Sequence, residues 1–118
     1  MRITDHKTNG LNEAIEIFAD ERDEKNGNAS HEYAIDVGEA RTVILRFQHG
    51  PVNENGINGI TNEVLLAIVI DRLRGFQDGP FKCRENAIAL TKAEESLMWL
   101  KKRTEGRLSR GVEGTHKP

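Results

Sequence analysis

The stretch FQDGPFKCREN, residues 76–86, gathers side chains that could hold a nucleobase and its phosphates. Phe76 and Phe81 offer flat faces on which a base could stack, a contact worth about 1–3 kcal/mol per base. Asn86 carries a donor and an acceptor that match an adenine edge, and Arg84 would lie near a helix start, where anions bind. The same residues also suit an ordinary joint between two helices, so this stretch alone leaves both interpretations open.

A second group of side chains, the basic row, consists of Arg103, Arg107 and Arg110. These residues recur at steps of four and three, so they share one helix face. Such a row is commonly a solvated surface. In an oligomer it could instead bring positive charge from one chain against a ligand held by another.

Catalysis and metal binding find little support in the sequence. No glycine-flanked nucleophile precedes a helix, and no glycine-rich phosphate loop ends in Lys-Ser/Thr. The four histidines are dispersed and Cys83 is the only cysteine, so we expect no metal site. The acidic loop at residues 20–24 lacks the spacing of calcium ligands. We therefore expect a protein that is not an enzyme and uses no cofactor.

The composition is that of a small globular protein, with 31% charged and 36% hydrophobic residues among 118. No apolar run approaches the roughly 20 residues of a spanning helix, and the N-terminus lacks a signal-peptide pattern. We expect no membrane contact and a cytoplasmic location. Residues 1–60 carry 6 basic against 11 acidic residues, and residues 61–118 carry 11 against 8. The second half of the chain therefore has a net charge of +3. Because this positive charge is too small to coat duplex DNA, we expect no nucleic-acid partner.

Alternating polarity predicts three strands in the first half of the chain, at residues 14–19, 31–37 and 42–48. Residues 11–20 could instead form a short helix, because their apolar residues also recur at steps of three and four; we favour the strand. Residues 49–59 hold three glycines and predict an irregular connection.

The second half predicts two helices. The first should begin at Thr61 or Asn62, and the second should extend from about Cys83 to at least Thr104. Because about six residues join them, the helices must be adjacent and antiparallel. The facing apolar stripes would be Leu66, Val69, Leu73 and Phe76 on the first helix, and Leu90, Ala93, Leu97, Leu100 and Thr104 on the second.

These elements predict an α+β fold, with a small N-terminal antiparallel β-sheet followed by a C-terminal antiparallel helical hairpin. The chain would be a single domain of residues 1–118, with a β-sheet part at 11–48, the helical hairpin at 61–110 and a tail at 111–118. Residues 64–70 are apolar around the whole helix, which favours a homo-oligomer that covers them.

Long segments of the chain resemble the Thoeris anti-defence sponge family of bacteriophages. The resemblance extends from about residue 14 to about residue 116 and is carried by DERDEKNGNASHEYAI, RFQHGPVNENGINGITNEVLLAIVIDRL and FQDGPFKCRENAIALTKAEESLMWLKKRTEGRLSRGVEGTH. The helical hairpin is also similar to that of the anti-CBASS sponge family. The chain is therefore expected to have a non-enzymatic, anti-defence function.

The resemblance implies that small-molecule cyclic nucleotide signals are the partners. These are the cyclic ADP-ribose isomers made by Thoeris TIR enzymes and, for some members, the cyclic di- or trinucleotides of CBASS. The resemblance further implies binding without degradation, in the cytoplasm of the infected bacterial host, by a dimer or hexamer. Two alternatives stay open: an enzyme that degrades the same signals, and a small phage regulator that binds nucleic acid or a host protein.

Site residues also follow from the resemblance. The family's base-contacting Phe and Asn fall on Phe76 and Asn86, and the rest of the turn adds Gln77, Phe81 and Arg84. The loop before the second strand would form a wall against the ribose and phosphates; its residues are Asn28, Ala29, Ser30 and His31. The basic row would form a second site, for cyclic oligonucleotides, together with Gly114, Thr115 and His116.

Overall fold

The computed structural model describes residues 1–118, which form two compact units. The sheet unit comprises residues 1–60 and 114–116, and the hairpin unit comprises residues 61–113 and 117–118. Strands dominate the first unit, and two long helices make up most of the second. The predicted α+β class, an antiparallel sheet followed by an antiparallel helical hairpin, is confirmed.

The sheet has one strand more than the sequence predicted. The three expected strands are present, but the two residues of β1 are too few to produce an alternating pattern. All neighbours pair antiparallel in the order of the chain. The strands are β1 (Arg2–Ile3), β2 (Glu16–Ala19), β3 (Glu32–Gly38) and β4 (Arg41–Arg46).

Two single-turn helices interrupt the connections of the sheet unit. Helix α1 (Leu11–Ala14) precedes β2, so the ambiguous segment 11–20 contains one helical turn and then a strand. Helix α2 (Val52–Asn55) lies in the connection that was predicted to be wholly irregular. Pro51 has a fixed φ, and its carbonyl accepts hydrogen bonds from the two backbone amides that close this turn, at 3.1 and 2.8 Å.

After β4 the chain folds back on itself at Gly59. The amide of Gln48 donates to the carbonyl of Ile60 at 2.8 Å, and the amide of Ile60 donates to the carbonyl of Arg46 at 2.9 Å. A Cβ atom on Gly59 would lie only 2.5 Å from the carbonyl carbon of Phe47, so a side chain cannot be accommodated. This closure fixes the loop that carries His49.

The hairpin unit consists of α3 (Asn62–Gln77) and α4 (Arg84–Ser109). The Thr61 hydroxyl accepts a hydrogen bond from the amide of Val64 at 3.1 Å and caps α3. The sulfur of Cys83 caps α4 by accepting from the amide of Asn86 at 3.4 Å, and this cysteine is exposed. None of the helices has both the length and the apolar character needed to cross a membrane.

The two helices pack through stripes that the sequence predicted with one error. On α4 all five expected residues are partly shielded from solvent, and the stripe continues to Arg107. On α3 the prediction for Val69 is wrong, because it is 43% exposed whereas Ile70 is 2% exposed. Between Leu66 and Leu73, Val69 gives steps of three and four residues and Ile70 gives steps of four and three. Both spacings fit 3.6 residues per turn, so periodicity alone cannot distinguish the two residues.

Candidate functional site

The turn between α3 and α4 presents two aromatic rings. The Phe76 and Phe81 ring centroids lie 6.4 Å apart at an interplanar angle of 73°, an edge-to-face pair. Phe76 is half-buried, and the guanidinium carbon of Arg72 lies 5.1 Å from its ring centroid. Phe81 is 72% exposed. A planar ligand could therefore stack on Phe81 while Phe76 supports that ring from one side.

Gln77 fixes the shape of this turn. Its Nε2 donates to the carbonyl of Cys83 at 3.2 Å, and its Oε1 accepts from the amide of the same residue at 3.1 Å. Both ends of the side-chain amide are therefore occupied. This geometry favours a positioning role for Gln77 over the direct ligand contact that the sequence predicted.

Asn86 lies within the first turn of α4 and is half-buried. Its Nδ2 donates to the carbonyl of Phe81 at 3.5 Å, the outer limit of a hydrogen bond. A ligand edge could therefore replace this weak contact at small cost. The exposed Arg84 begins the same helix, where its charge adds to that of the free N–H groups. The turn thus brings together stacking, amide and cationic groups.

Two of the predicted residues in the loop before β3 form hydrogen bonds within the protein. Ser30 is buried, and its hydroxyl donates to the carbonyl of Asp20 at 2.8 Å. The backbone amide of the buried His31 donates to the Asp20 carboxylate at 3.0 Å. Asn28 and Ala29 are exposed, and Asn28 has a φ of 61°. Of the four predicted wall residues, these two are the accessible ones.

A cavity of about 240 Å³ opens beside this loop. The His31 and His49 rings stack there with centroids 4.5 Å apart and planes 20° apart. His49 Nε2 lies 2.7 Å from Asp23 Oδ2. Hydrogen bonds from Asn26 and then His49 lower the pKa of the Asp23 carboxyl to about 2, so it is ionised at neutral pH. The cavity lining is Asp20, His31, Glu32, Arg46, Phe47, His49 and Asn58.

Sequence reasoning missed Asp23 and His49. They lie 8 and 18 residues from His31 in the chain: the pairing of β3 with β4 brings the two histidines together, and the folded β2–β3 loop brings Asp23 to them. The one available signal was the pair of neighbouring strands: an antiparallel hairpin of β3 and β4 must place the residues just before β3 beside those just after β4.

The basic row is not a uniform solvated face. Arg107 is 6% exposed, and its Nε lies 3.0 Å from Glu113 Oε2. Its remaining nitrogens donate at 2.7–3.0 Å to the backbone carbonyls of Val112, Lys117 and Pro118. Arg110 also donates to the Pro118 carbonyl, at 3.0 Å, whereas Arg103 is exposed. Arg107 therefore holds residues 112–113 and 117–118 beside the end of α4.

The other predicted members of the second site belong to the sheet unit. The carbonyl of Gly114 accepts from the amide of Asn53 at 3.2 Å. His116 lies 3.5 Å from a Glu54 oxygen and 3.3 Å from the Asn26 side-chain oxygen. Thr115 lies between them and is half-buried. These contacts attach residues 114–116 to the sheet unit, while Arg103, Arg107 and Arg110 belong to the hairpin unit.

Comparison with known proteins identifies relatives of this chain. A family profile described as "Acb2/Tad1, hairpin domain" matches residues 39–105, which include β4, α3, the turn and most of α4. The protein named "Thoeris anti-defense 1" of Bacillus phage SBSphiJ7 is 62% identical over 72 residues, 61% of this chain and 51% of that relative. The chain thus spans about half the length of the curated relative that it matches.

Proposed function

The chain belongs to the Acb2/Tad1 hairpin-domain family, and we propose that it is a phage anti-defence protein that binds and sequesters cyclic nucleotide immune signals without degrading them. The family resemblance seen in the sequence is confirmed. The proposed ligands are the cyclic ADP-ribose isomers of Thoeris and, at a second site, the cyclic di- or trinucleotides of CBASS. The proposed place of action is the cytoplasm of the infected host.

The observation that carries the proposal is the turn between α3 and α4, which lies within the matched region. The exposed Phe81 ring supplies a stacking face, and its edge-to-face partner Phe76 limits its movement. The Asn86 amide has a single long contact that an adenine edge could replace. Arg84 supplies a cation for a pyrophosphate. Such a set serves an adenine nucleotide through stacking, amide pairing and charge-assisted hydrogen bonds.

Sequestration suits these groups better than catalysis does. Aromatic rings, an amide and a guanidinium hold a nucleotide, whereas hydrolysis of a phosphoanhydride or a glycosidic bond needs a positioned nucleophile or a general acid–base pair. The Cys83 sulfur at the same turn is engaged as the cap of α4. A sponge needs only tight binding and abundance.

The test is calorimetry against a panel of cyclic ADP-ribose isomers and cyclic di- and trinucleotides, followed by heat release of the bound ligand. We expect a saturable enthalpy for at least one cyclic ADP-ribose isomer and recovery of that ligand with its mass and chromatographic position unchanged. Recovery of a chemically altered product would favour the degrading enzyme. Binding to duplex DNA with a steep salt dependence, and to none of the panel, would favour the regulator.

We also propose that the chain acts as a homo-oligomer, a dimer or hexamer. Val64 and Ile68, one helical turn apart on α3, are exposed, and so are the consecutive residues Met98 and Trp99 on α4. So much exposed apolar surface on a single hairpin is typical of a subunit contact.

Light scattering coupled to size-exclusion chromatography should give a mass that is a multiple of the 13.3 kDa chain. Ile68→Glu should shift the mass toward a single chain, because a charge in a subunit contact is costly to bury. Ile57→Glu is the control, since Ile57 is also exposed but belongs to the sheet unit. A mass of 13.3 kDa for the unmodified chain would contradict the proposal.

A further inference from the structure

Three side chains of the sheet unit, Asp23, His31 and His49, converge on one point. Each offers one ligand atom, and these atoms all lie within 4.8 Å of one another. His31 is 9% exposed, and its Nε2 is buried with no hydrogen-bond partner. A buried imidazole nitrogen without a partner is costly, so its position beside two further donors calls for an explanation.

Pairing between β3 and β4 places the two histidines together. Glu32 pairs with Arg46, and the amide of Phe47 donates to the carbonyl of His31 at 2.8 Å. His49 follows two residues later. Its backbone is held by Asn58, whose side chain accepts from the His49 amide at 2.8 Å and donates to the His49 carbonyl at 2.7 Å.

Asp23 is brought to the histidines by the β2–β3 loop, which folds back on itself. An antiparallel bridge pairs Asp23 with Ala29, and the 3-10 turn Glu24–Asn26 lies between them. The backbone amide of Lys25 donates to Asp23 Oδ1 at 3.1 Å, and the side-chain amide of Asn26 donates to Asp23 Oδ2 at 2.7 Å. These contacts orient the carboxylate and keep it anionic while leaving it beside both imidazoles.

We propose that Asp23, His31 and His49 bind a divalent transition metal ion, with zinc as the best match. Two imidazoles and a carboxylate are typical zinc ligands, and three protein ligands leave one position for water or another small ligand. Tetrahedral zinc at about 2.0–2.1 Å places its ligand atoms about 3.3 Å apart. The present spread of up to 4.8 Å must therefore contract. Because the two imidazole planes are stacked at 20°, one ring must also rotate to aim its lone pair at the ion, and the 54% exposed His49 has the room to do so.

The chemistry of these ligands discriminates between cations. Magnesium and calcium prefer all-oxygen ligands, so two imidazoles disfavour them. The exchange that zinc requires is local: His49 Nε2 gives up its 2.7 Å contact with Asp23 Oδ2, and both atoms turn to the ion. The ion would then link the β2–β3 loop to the segment after β4. This role is structural and goes beyond the proposed sequestration of nucleotides.

The experiment uses the full chain without a histidine tag and with Cys83→Ser, because the exposed thiol would be a rival zinc ligand. Titration with zinc chloride should give one ion per chain in calorimetry and raise Tm by about 5 °C or more at saturation. Magnesium chloride should do neither. No heat and no Tm shift with zinc would overturn the proposal.

The variants separate this site from adventitious binding. His49→Gln should lower zinc affinity at least tenfold, and it should fold normally because the His49 side chain is 54% exposed. His6→Gln is the control: His6 belongs to the same unit, and its Nε2 contacts the Ile15 carbonyl at 2.7 Å, but it lies outside the cluster, so zinc binding should be unchanged. Equal zinc affinity in the His49 variant and the control would contradict the assignment.

Discussion

Phe76→Ala should abolish measurable binding of the cyclic ADP-ribose isomer while the helical circular dichroism stays that of the unmodified chain. Phe76 holds the Phe81 ring on which the base would stack, and loss of one stacked base contact costs about 1–3 kcal/mol, which is about 5- to 150-fold in Kd. Alanine also removes the edge-to-face support of Phe81 and the surface over which Arg72 lies. The remaining ring would be free to turn away from the ligand.

A second substitution at the same position separates the aromatic face from simple packing. Phe76→Leu keeps a large apolar side chain at this half-buried position but removes the ring, so it should keep stability and lose most of the affinity. Phe18→Ala is the matched control, because Phe18 is also partly exposed but lies on β2 in the sheet unit. Full affinity in both Phe76 variants would remove this residue from the site.

Asn86→Ala should have an effect of the same size for a different reason. The variant loses the amide that would pair with the base, but the cap of α4 uses the backbone amide of Asn86 and the sulfur of Cys83, so the helix start is preserved. Calorimetry should detect no binding while the helical signal is unchanged. Asn86→Asp, which keeps the shape but replaces the amide donor with a charge, should also fail to bind.

The elements of the hairpin were predictable because their signals are local. Thr61 as a cap and the α4 stripe from Leu90 to Thr104 can be read from spacing within one segment. The choice between Val69 and Ile70 could not be read in this way, because both fit the helical period and only packing against α4 decides. The two residues of β1 and the single turns of α1 and α2 are shorter than any periodic pattern.

Residues of the candidate sites were predictable only where one segment supplies them. Phe76, Phe81 and Asn86 lie in one short segment that joins the end of α3 to the start of α4, so their proximity follows from the sequence. The cluster of Asp23 and the two histidines depends on the pairing of β3 with β4 and on a bridge across a loop. Whether Arg107 is solvated or buried depends on where its partners at residues 112–113 and 117–118 lie, and the helical periodicity of α4 cannot predict that.

Arg107 is the subject of the second large effect, a loss of stability. Its guanidinium has an ion pair with Glu113 and donates to three backbone carbonyls, with almost no solvent access. Arg107→Ala leaves these acceptors without their donor, and we expect a cost of about 2–3 kcal/mol in the free energy of unfolding. Thermal denaturation should then show a Tm about 10 °C lower. Arg107→Lys should lie in between, because one ammonium cannot replace a planar fork of donors.

The stability effect determines how the proposed second site can be tested. Loss of cyclic oligonucleotide binding in an Arg107 variant could result from a missing ligand contact or from displacement of residues 112–113 and 117–118, and the two causes could not be distinguished. Arg103, which is exposed on α4 one turn earlier, tests the ligand contact alone. Arg103→Ala should keep Tm within about 1 °C and weaken only the binding of the cyclic oligonucleotide. If Arg107→Ala melts at the same temperature as the unmodified chain, the contacts of the Arg107 guanidinium add little to stability, and in the unmodified chain that guanidinium could exchange them for a ligand.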